Sequence, residues 1–348
     1  MSPRLRSRLG RLRRSYALRR VAVMIPQLFG ITLVVFVLLR LFPGDPAYLF
    51  AGPTASPETI ARIRHDLGLD EPIVVQYLHY LRDLLHGNLG TSLVTSQPVR
   101  TDMLERFPAT LELITAALLI ALAVGIPLGA LGARKPRGVA DRATRSYGLL
   151  AGSLPDFWWG LMLIFIFFTT LDVAAAPVGR LDIGFVPPDR ITGFYTVDSL
   201  LTGNWATFTN AVSHLILPAF TLAFVYGGPI VKHMRASMTN VLDAPYLAYG
   251  SMCGLSRWTL FRYALRNALV PAVTMTGITY AYLIGGAVLV ETVFSWGGLG
   301  QYAVRAITSS DYLAVSGTVL TTTVFALVVY AVLDLVYVLI DPRIRYSS

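Results

Sequence analysis

Six stretches of about 20 residues with almost no charged side chains constrain this chain more than any other feature. A helix needs about 20 apolar residues to cross the roughly 30 Å hydrocarbon core of a bilayer. Only 14% of the 348 residues are charged, against about a quarter in a typical soluble domain. We therefore predict an all-α polytopic membrane protein with six transmembrane helices. The stretches cover residues 21–39, 113–133, 146–171, 213–231, 267–290 and 312–333, the last continuing to 340.

The distribution of charge predicts the orientation of these helices, because basic residues mark the cytoplasmic side of a membrane protein. Residues 1–20 contain eight arginines and no acidic residue, and residues 134–145 contain five basic residues against one acidic residue. Residues 42–108 and 172–212 are net acidic, which is typical of external segments. Six spans place both ends on one side, so we predict cytoplasmic N- and C-termini. The net charge of +9 is explained in this way without a nucleic-acid partner.

The spans divide the chain into five parts. We predict a basic cytoplasmic N-terminus (1–20), a first transmembrane helix (21–41), a long external segment (42–108), a five-helix core (109–341) and a cytoplasmic tail (342–348).

Two amphipathic helices are predicted in the external segment. The first begins at Pro57 with Ser56 as its cap, and the second begins near Pro72. We predict one apolar face on the second helix, formed by Val74, Tyr77, Leu78, Leu81 and Leu85. The segment is interpreted either as a packed cover over the membrane helices or as a contact surface for an external partner.

Motifs for catalysis and nucleotide binding are missing from the sequence. A phosphate-binding loop requires a Gly-Lys-Ser/Thr sequence, but Lys135 precedes a proline and Lys232 precedes a histidine. The five histidines do not pair at metal-ligand spacing, and the single Cys253 excludes an intrachain disulfide. We predict that the chain is not an enzyme, binds no metal and carries no cofactor of its own.

A few carboxylates lie in or beside the apolar stretches. Asp156, in the sequence S-L-P-D-F-W-W-G, is the deepest, and an ionisable residue inside a membrane is a candidate functional residue. It could face a transport pathway and meet a cationic group of the substrate. Alternatively, it could be satisfied at a helix contact or at a broken turn beside Pro155. Interfacial anchoring or loop hydrogen bonding is predicted for Glu112, Glu291 and Asp334.

The segment 244–271 is basic, half apolar and flanked by membrane helices. No acidic residue lies between Pro245 and Pro271, and Gly254 is predicted to permit a tight turn. The segment could be a docking surface for a cytoplasmic partner or an amphipathic helix lying on the membrane. Its basic and apolar side chains are Arg257, Arg262 and Arg266 with Leu255, Trp258, Leu260 and Phe261.

This segment resembles the cytoplasmic coupling loop of ABC-importer permeases, specifically the B-type subunit of the peptide/nickel (dipeptide/oligopeptide) family. That loop has a cluster of small residues, a glycine and an apolar–basic helix ending at a proline. The coupling loop would cover residues 236–268. Its candidate ATPase-coupling residues are Tyr246, Ala248, Gly250, Gly254, Leu255, Ser256 and Trp258.

Further family motifs and two departures accompany the resemblance. The usual aspartate–tyrosine adjacency is interrupted after Asp243, and the helix after Gly254 is one residue shorter. The stretch at 177–198 is most similar to the dipeptide-type subgroup. The matching motifs include L-L-R-L-F-P-G-D-P at 38–46, R-F-P-A-T-L-E-L at 106–113, E-T-V-F-S-W-G-G-L-G at 291–300 and D-P-R-I-R at 341–345.

The resemblance implies a multi-pass permease subunit in the cytoplasmic (inner) membrane that imports peptides, with dipeptides or short oligopeptides favoured. It implies a second related permease subunit, two ATPase domains or subunits that bind ATP and magnesium, an external substrate-binding protein and contact with membrane lipid. Nickel, glutathione or oligosaccharide are alternative substrates within the family. An ion-coupled secondary transporter and a membrane-embedded enzyme are alternatives of other classes.

Overall fold

The computed structural model describes residues 23–38, 40, 47–48, 55–66 and 68–340, and within these ranges the chain is helical without a β-sheet. The predicted all-α class is therefore confirmed. The helix Asp156–Leu163 continues as a π-helix over Ile164–Thr170. The helices are α1 (Val23–Leu38), α2 (Pro57–Asp66), α3 (Ile73–Leu85), α4 (Val99–Ala133), α5 (Val139–Ala151), α6 (Asp156–Leu163), α7 (Tyr195–Leu201), α8 (Trp205–Leu242), α9 (Pro245–Met252), α10 (Arg257–Val293), α11 (Leu299–Thr308) and α12 (Tyr312–Ile340).

Four of the described helices are long and apolar enough to cross a membrane. They are α4, α8, the part of α10 from Met275 to Val293 and the part of α12 from Tyr312 to Leu333. The helices α5 and α6 form a fifth span if the bent pair counts as one, whereas α1 is shorter. The chain is therefore a polytopic membrane protein, while the count of six spans and the side of the termini stay predictions.

Several helices are longer than the apolar stretches that predict them. The helix α8 extends beyond residues 213–231 at both ends, and Asn204 caps its start by accepting a hydrogen bond from the Thr207 N–H at 3.0 Å. The predicted helix end at Pro271 is wrong, because α10 passes through this residue. Hydropathy marks only the part of a helix that matches the bilayer, whereas the backbone hydrogen bonds continue into the polar turns.

The span predicted over residues 146–171 is interrupted by a break between two helices. The helix α5 ends at Ala151, α6 begins at Asp156, and the two axes differ in direction by 104°. Pro155 explains part of the break, because proline lacks a backbone N–H and disfavours helical geometry in the preceding residue. Asp156 is therefore the first residue of a helix, and its Oδ1 accepts a hydrogen bond from the Phe157 N–H at 2.8 Å.

The chain forms two compact units, which are described separately. The first comprises residues 1–104 with 305–331. In it, the predicted cap of α2 is confirmed, because Ser56 Oγ accepts a hydrogen bond from the Thr59 N–H at 3.3 Å. The predicted start of the second helix near Pro72 is also confirmed, since α3 begins at Ile73.

The predicted apolar face of α3 is only partly correct. Val74, Leu78 and Leu85 are exposed. The packed side centres on Tyr77, whose hydroxyl lies 3.0 Å from Thr32 Oγ1, and on Tyr80, whose hydroxyl lies 3.0 Å from Ser316 Oγ. Two aromatic residues with polar tips thus determine which side of this helix is buried.

Asp311 fixes a loop of the first unit to the start of α12. Its buried carboxylate accepts hydrogen bonds from Ser92 Oγ at 2.6 Å and from the Leu93 N–H at 2.7 Å. The other carboxylate oxygen accepts from the Ala314 N–H at 3.1 Å, which caps α12. One side chain therefore satisfies both a helix end and a loop backbone.

The second unit comprises residues 105–304 with 332–348. Its helices α4 and α8 approach closely at Gly129, where an added Cβ would lie 2.7 Å from the Val231 carbonyl oxygen and 2.8 Å from Met234 Cβ. Small residues permit such close contacts between membrane helices. A buried cluster follows this contact and joins α4, α8, α9 and α10. Its members are Ala130, Ala133, Met234, Met238, Leu247, Ala264, Ala268 and Ala272.

Two glutamates at span ends are buried and hydrogen-bonded in the second unit, and Glu112 holds a loop residue, as predicted. Glu112 accepts hydrogen bonds from the Arg180 guanidinium at 2.5 Å and from Thr196 Oγ1 at 2.6 Å. Glu291 is fully buried and accepts from Thr110 Oγ1 at 2.6 Å. The side chain of Asp334, given the same predicted role, lies outside the described residues.

Asp198 stabilises the segment before α7. Its carboxylate accepts hydrogen bonds from the backbone N–H groups of Ile191, Thr192 and Gly193 and from Thr192 Oγ1. Burial acts to raise the pKa of Asp198, but these hydrogen bonds outweigh it and hold the pKa below its usual value. The carboxylate therefore stays ionised at neutral pH, and its stabilising contribution is lost only as the pH falls through the lowered pKa.

Candidate functional site

The connection between α8 and α10 carries an exposed group of large apolar side chains, which we call the α9–α10 surface. It includes the short helix α9 and the first turn of α10. Its members are Tyr246, Tyr249, Met252, Leu255 and Trp258, each at least 44% exposed. Met252 is 84% exposed and Trp258 is 69% exposed. A contiguous apolar patch on a protein surface is typical of an interaction site.

The opposite side of α9 anchors this surface to the unit below it. Leu247 is buried in the cluster shared with α4, α8 and α10. Gly250 is also buried, and an added Cβ there would lie 3.0 Å from Leu260 Cδ2 and 3.2 Å from Leu255 Cδ1. The small residue therefore lets α9 pack directly against α10, so the exposed side chains stand on a supported helix.

Gly254 forms the turn that ends α9. Its φ is +79°, in the left-handed region that favours glycine. The Leu255 N–H donates to the Gly250 carbonyl at 3.1 Å, and the Gly254 N–H donates to the Ser251 carbonyl at 3.1 Å. This pair of hydrogen bonds is the Schellman pattern of helix ends. No other atom lies within 4 Å of a Cβ added at Gly254, so the requirement for glycine is conformational.

Ser256 begins α10. Its Oγ accepts a hydrogen bond from the Thr259 N–H at 3.2 Å and lies 2.8 Å from Thr259 Oγ1. A serine in this position satisfies one of the unpaired N–H groups at a helix start. The turn at Gly254 and the cap at Ser256 together fix where α10 begins and therefore the direction in which Trp258 projects from it.

Aromatic and cationic contacts support the first turns of α10. The ring of Trp258 stacks on Phe261 with a centroid distance of 5.8 Å and an interplanar angle of 22°. The guanidinium of Arg134 lies over the Phe261 ring, 5.1 Å from its centroid. Along α10, a cavity of about 610 Å³ is lined by residues that include Arg262 and Arg266. The surface therefore combines exposed apolar side chains with neighbouring basic side chains.

The seven predicted coupling residues all lie in this one region, but they have different structural positions. Ala248 is exposed on α9. Tyr246, Leu255 and Trp258 belong to the exposed surface, whereas Gly250, Gly254 and Ser256 shape the backbone beneath it. Their role in coupling stays a prediction.

Two residues of the surface, Tyr249 and Met252, are absent from the predicted set. The sequence contains a signal for them, because positions 246, 249 and 252 recur at the three-residue spacing of one helix face. The neighbouring Leu247 obscures that signal, because it is also large and apolar although it lies on the opposite, buried face of α9.

A buried carboxylate lies at the start of α5 and ties the α4–α5 connection to α8. Asp141 is 1% exposed and accepts hydrogen bonds from Arg235 Nε at 2.6 Å and Arg145 Nη2 at 3.0 Å. It also accepts from the Arg137 backbone N–H at 2.9 Å. The sequence signal for this cluster is that Asp141 is the single acidic residue in a basic segment.

Asp156 belongs to neither of these groups. It begins α6 at the broken span and is half-buried beside Trp158 and Trp159. Both sequence interpretations of Asp156 therefore remain, although the broken turn beside Pro155 is now observed.

Replacing Gly254 with valine is expected to loosen the end of α9. A β-branched residue in the left-handed region costs about 1–2 kcal/mol, whereas asparagine tolerates this conformation. Hydrogen exchange of the Gly254 and Leu255 amides should therefore accelerate in Gly254→Val and stay close to that of the parent chain in Gly254→Asn. Equal exchange in the two variants would contradict a conformational requirement at this position.

Comparisons with known proteins agree with the architecture. Residues 125–346 match the family described as binding-protein-dependent transport system inner membrane component, and residues 13–114 match the N-terminal part of such membrane components. A probable D,D-dipeptide transport system permease protein of Escherichia coli K12 is 44% identical over 90% of this chain and 93% of its own length.

Two further relatives match over nearly their whole length. A dipeptide transport system permease protein of Escherichia coli K12 is 39% identical, and a di/tripeptide transport system permease protein of Pseudomonas aeruginosa is 41% identical. Each match covers 96% of this chain and 99% of the relative. With its apolar helices and these matches, the chain belongs to the family of inner-membrane components of binding-protein-dependent transport systems.

Proposed function

We propose that this chain is a permease subunit of an ATP-driven ABC importer that moves peptides, with dipeptides or short oligopeptides favoured, across the cytoplasmic membrane. The observation that carries the proposal is the α9–α10 surface: five exposed apolar side chains on a helix supported by buried Leu247 and Gly250. The chain has no phosphate-binding loop of its own. The energy of ATP hydrolysis must therefore come from a partner, and the α9–α10 surface is where that partner docks.

Membership of this family bears on two of the predictions. Family members are inner-membrane transport components rather than enzymes, so the predictions of an inner-membrane location and of a non-enzyme are confirmed. The substrate is inferred from the printed names of the relatives, which are transporters of dipeptides, D,D-dipeptides or di- and tripeptides.

The proposed topology has six spans with cytoplasmic termini. It keeps the basic N-terminus (1–20) and tail (342–348) in the cytoplasm and residues 42–108 outside, ahead of the five-helix permease core (109–341). The coupling loop (236–268), which contains the α9–α10 surface, then faces the cytoplasm. The concentration of basic residues in segments 1–20 and 134–145 supports this assignment.

The proposed machine contains a second related permease subunit, two ATPase domains or subunits that bind ATP and magnesium, and an external substrate-binding protein. Closure of the ATPases would displace the α9–α10 surface. Leu247 and Ala264 lie in the same buried cluster as Met234 of α8 and Ala130 of α4. Because protein interiors are closely packed, a displacement of α9 would be passed to α4, α8 and α10, which would alternate the access of the pathway.

Copurification tests the proposal. The chain is produced with the products of its neighbouring genes and purified, and copurified ATPase subunits are identified. We expect ATP hydrolysis by the complex to rise when the binding protein and a dipeptide are both present. Stimulation by nickel, glutathione or an oligosaccharide instead would reassign the substrate. Uptake by this chain alone, without an ATPase and driven by an ion gradient, would overturn the proposal in favour of a secondary transporter.

A further inference from the structure

Asp156 is a carboxylate within an apolar span that lacks a cationic partner in the described part of the chain. It lies ten residues after the start and fifteen residues before the end of the charge-free stretch 146–171 that it interrupts. Its Oδ1 accepts one hydrogen bond, from the Phe157 N–H at 2.8 Å. No lysine, arginine or histidine among the described residues forms an ion pair with it. The Asp156 backbone N–H is a second donor to the carboxylate, and these two backbone donors leave part of its acceptor capacity unused.

Two other carboxylates of the second unit, Glu112 and Asp141, form ion pairs with arginines. Glu112 is paired with Arg180 at 2.5 Å, and Asp141 is paired with Arg235 at 2.6 Å. Ionised groups inside a membrane are costly unless they are paired or face a water-filled path. Asp156 is half-buried and forms no such pair among the described residues, so it is free to accept a cation from outside the described chain.

An aromatic cluster begins two residues after Asp156 on α6. Trp158 is exposed, and its ring meets the buried Trp159 edge to face with a centroid distance of 5.4 Å. Trp159 in turn packs against Phe224 at 4.7 Å, and its buried indole N–H has no hydrogen-bond partner in the structure. Aromatic faces attract ammonium groups.

The break in the span makes this carboxylate accessible. Residues 152–155 connect α5 to α6 and are exposed, as is Trp158. A continuous helix would have placed Asp156 in the middle of a regular hydrogen-bonded segment. Instead, the 104° change of direction leaves it at a helix start beside an exposed connection.

We propose that Asp156 binds the α-ammonium group of a peptide during its passage through the membrane. The inference rests on the proposed peptide-import function and adds a specificity-determining residue to it. Every unmodified peptide carries an α-ammonium group, and this cation supplies the charge-assisted hydrogen bond that no described residue of the chain donates to Asp156.

The test uses the complete transporter reconstituted in vesicles, with the binding protein saturated with a dipeptide. Asp156→Asn keeps the shape of the side chain and removes its charge. We expect maximal uptake to fall about tenfold, the usual size of a lost hydrogen bond to a charged group, and Asp156→Glu to recover most of it. The exposed Asp189 offers a matched control, because Asp189→Asn removes the same charge outside the apolar spans and should leave uptake unchanged.

A second substrate separates binding of the ammonium group from a general defect. With a dipeptide analogue whose N-terminal amine is replaced by a hydroxyl group, at saturating concentration for the binding protein, the uptake ratio of parent to Asp156→Asn should be close to one. Equal uptake of the unmodified dipeptide by the parent and by Asp156→Asn would overturn the inference and leave the proposed function standing. Failure of the second permease subunit to copurify with Asp156→Asn would also overturn it, because the counter-ion would then belong to that subunit. Failure of the parent complex to import any peptide would overturn the proposed function itself.

Discussion

Trp258→Glu is expected to abolish peptide uptake and the copurification of ATPase subunits while leaving the chain folded. Trp258 is 69% exposed, so its replacement removes little packing from the folded chain. In a docked complex, the new carboxylate would be buried against an apolar groove without a partner. Loss of a central aromatic residue from an interface weakens binding by about 2–4 kcal/mol, or roughly 30- to 1,000-fold.

Two control variants make this result specific to the surface. Trp258→Phe keeps an aromatic ring that can stack on Phe261 and should retain most of the uptake. Ile183 is 92% exposed on the segment before α7, so Ile183→Glu adds the same charge at an exposed apolar position elsewhere and should retain the ATPase subunits. Normal copurification and uptake with Trp258→Glu would argue that the α9–α10 surface lies on lipid instead.

Glu291→Ala is expected to cause the largest loss of stability among the single substitutions considered. Glu291 is fully buried near the end of α10 and accepts hydrogen bonds from Thr110 Oγ1 at 2.6 Å and from the Gln301 N–H at 3.1 Å. Removing it leaves two buried donors without an acceptor, each at about 1–3 kcal/mol. It also leaves a cavity, because the carboxylate fills the space beside Gly298, where an added Cβ would lie 2.5 Å from Glu291 Oε1.

The thermal midpoint of the detergent-solubilised chain measures this effect. Glu105 is exposed on α4, so Glu105→Ala removes a glutamate of the same unit without removing a buried acceptor and should leave the midpoint almost unchanged. A midpoint for Glu291→Ala equal to that of Glu105→Ala would show that the buried network contributes nothing measurable.

The membrane class of the fold was predictable because the bilayer imposes it. A segment inside the hydrocarbon must satisfy its own backbone hydrogen bonds and present apolar side chains, which leaves a direct record in the charge-free stretches. Helix continuity was harder to predict. Pro271 removes one backbone donor from α10, yet the helix continues through it, whereas the connection ending at Pro155 breaks a span. The sequence contains a proline at both positions, so the presence of proline alone does not predict which helix breaks.

The location of the α9–α10 surface was predictable from its composition, but its internal division was not. Leu247 and Tyr246 are adjacent and both apolar, and only the approach of α4 and α10 determines that Leu247 is buried. The Asp141 network has the same limitation, because its partner Arg235 is 94 residues away in sequence and meets it only in the folded unit. Local patterns do not encode such distant pairings.

The continuity of α10 has a mechanical consequence for the proposed transport cycle. Its 37 residues form a rod about 55 Å long, with Trp258 near one end and Glu291 near the other. A rotation of about 10° around its middle would move each end by about 5 Å in opposite directions. Pro271 leaves the Asn267 carbonyl without its usual partner in the helix, so it forms a point of lower stiffness between the two ends. In the proposed cycle, a displacement at the Trp258 end would reach Thr110 and Gln301, the hydrogen-bond partners of Glu291, and bending at Pro271 would reduce its size.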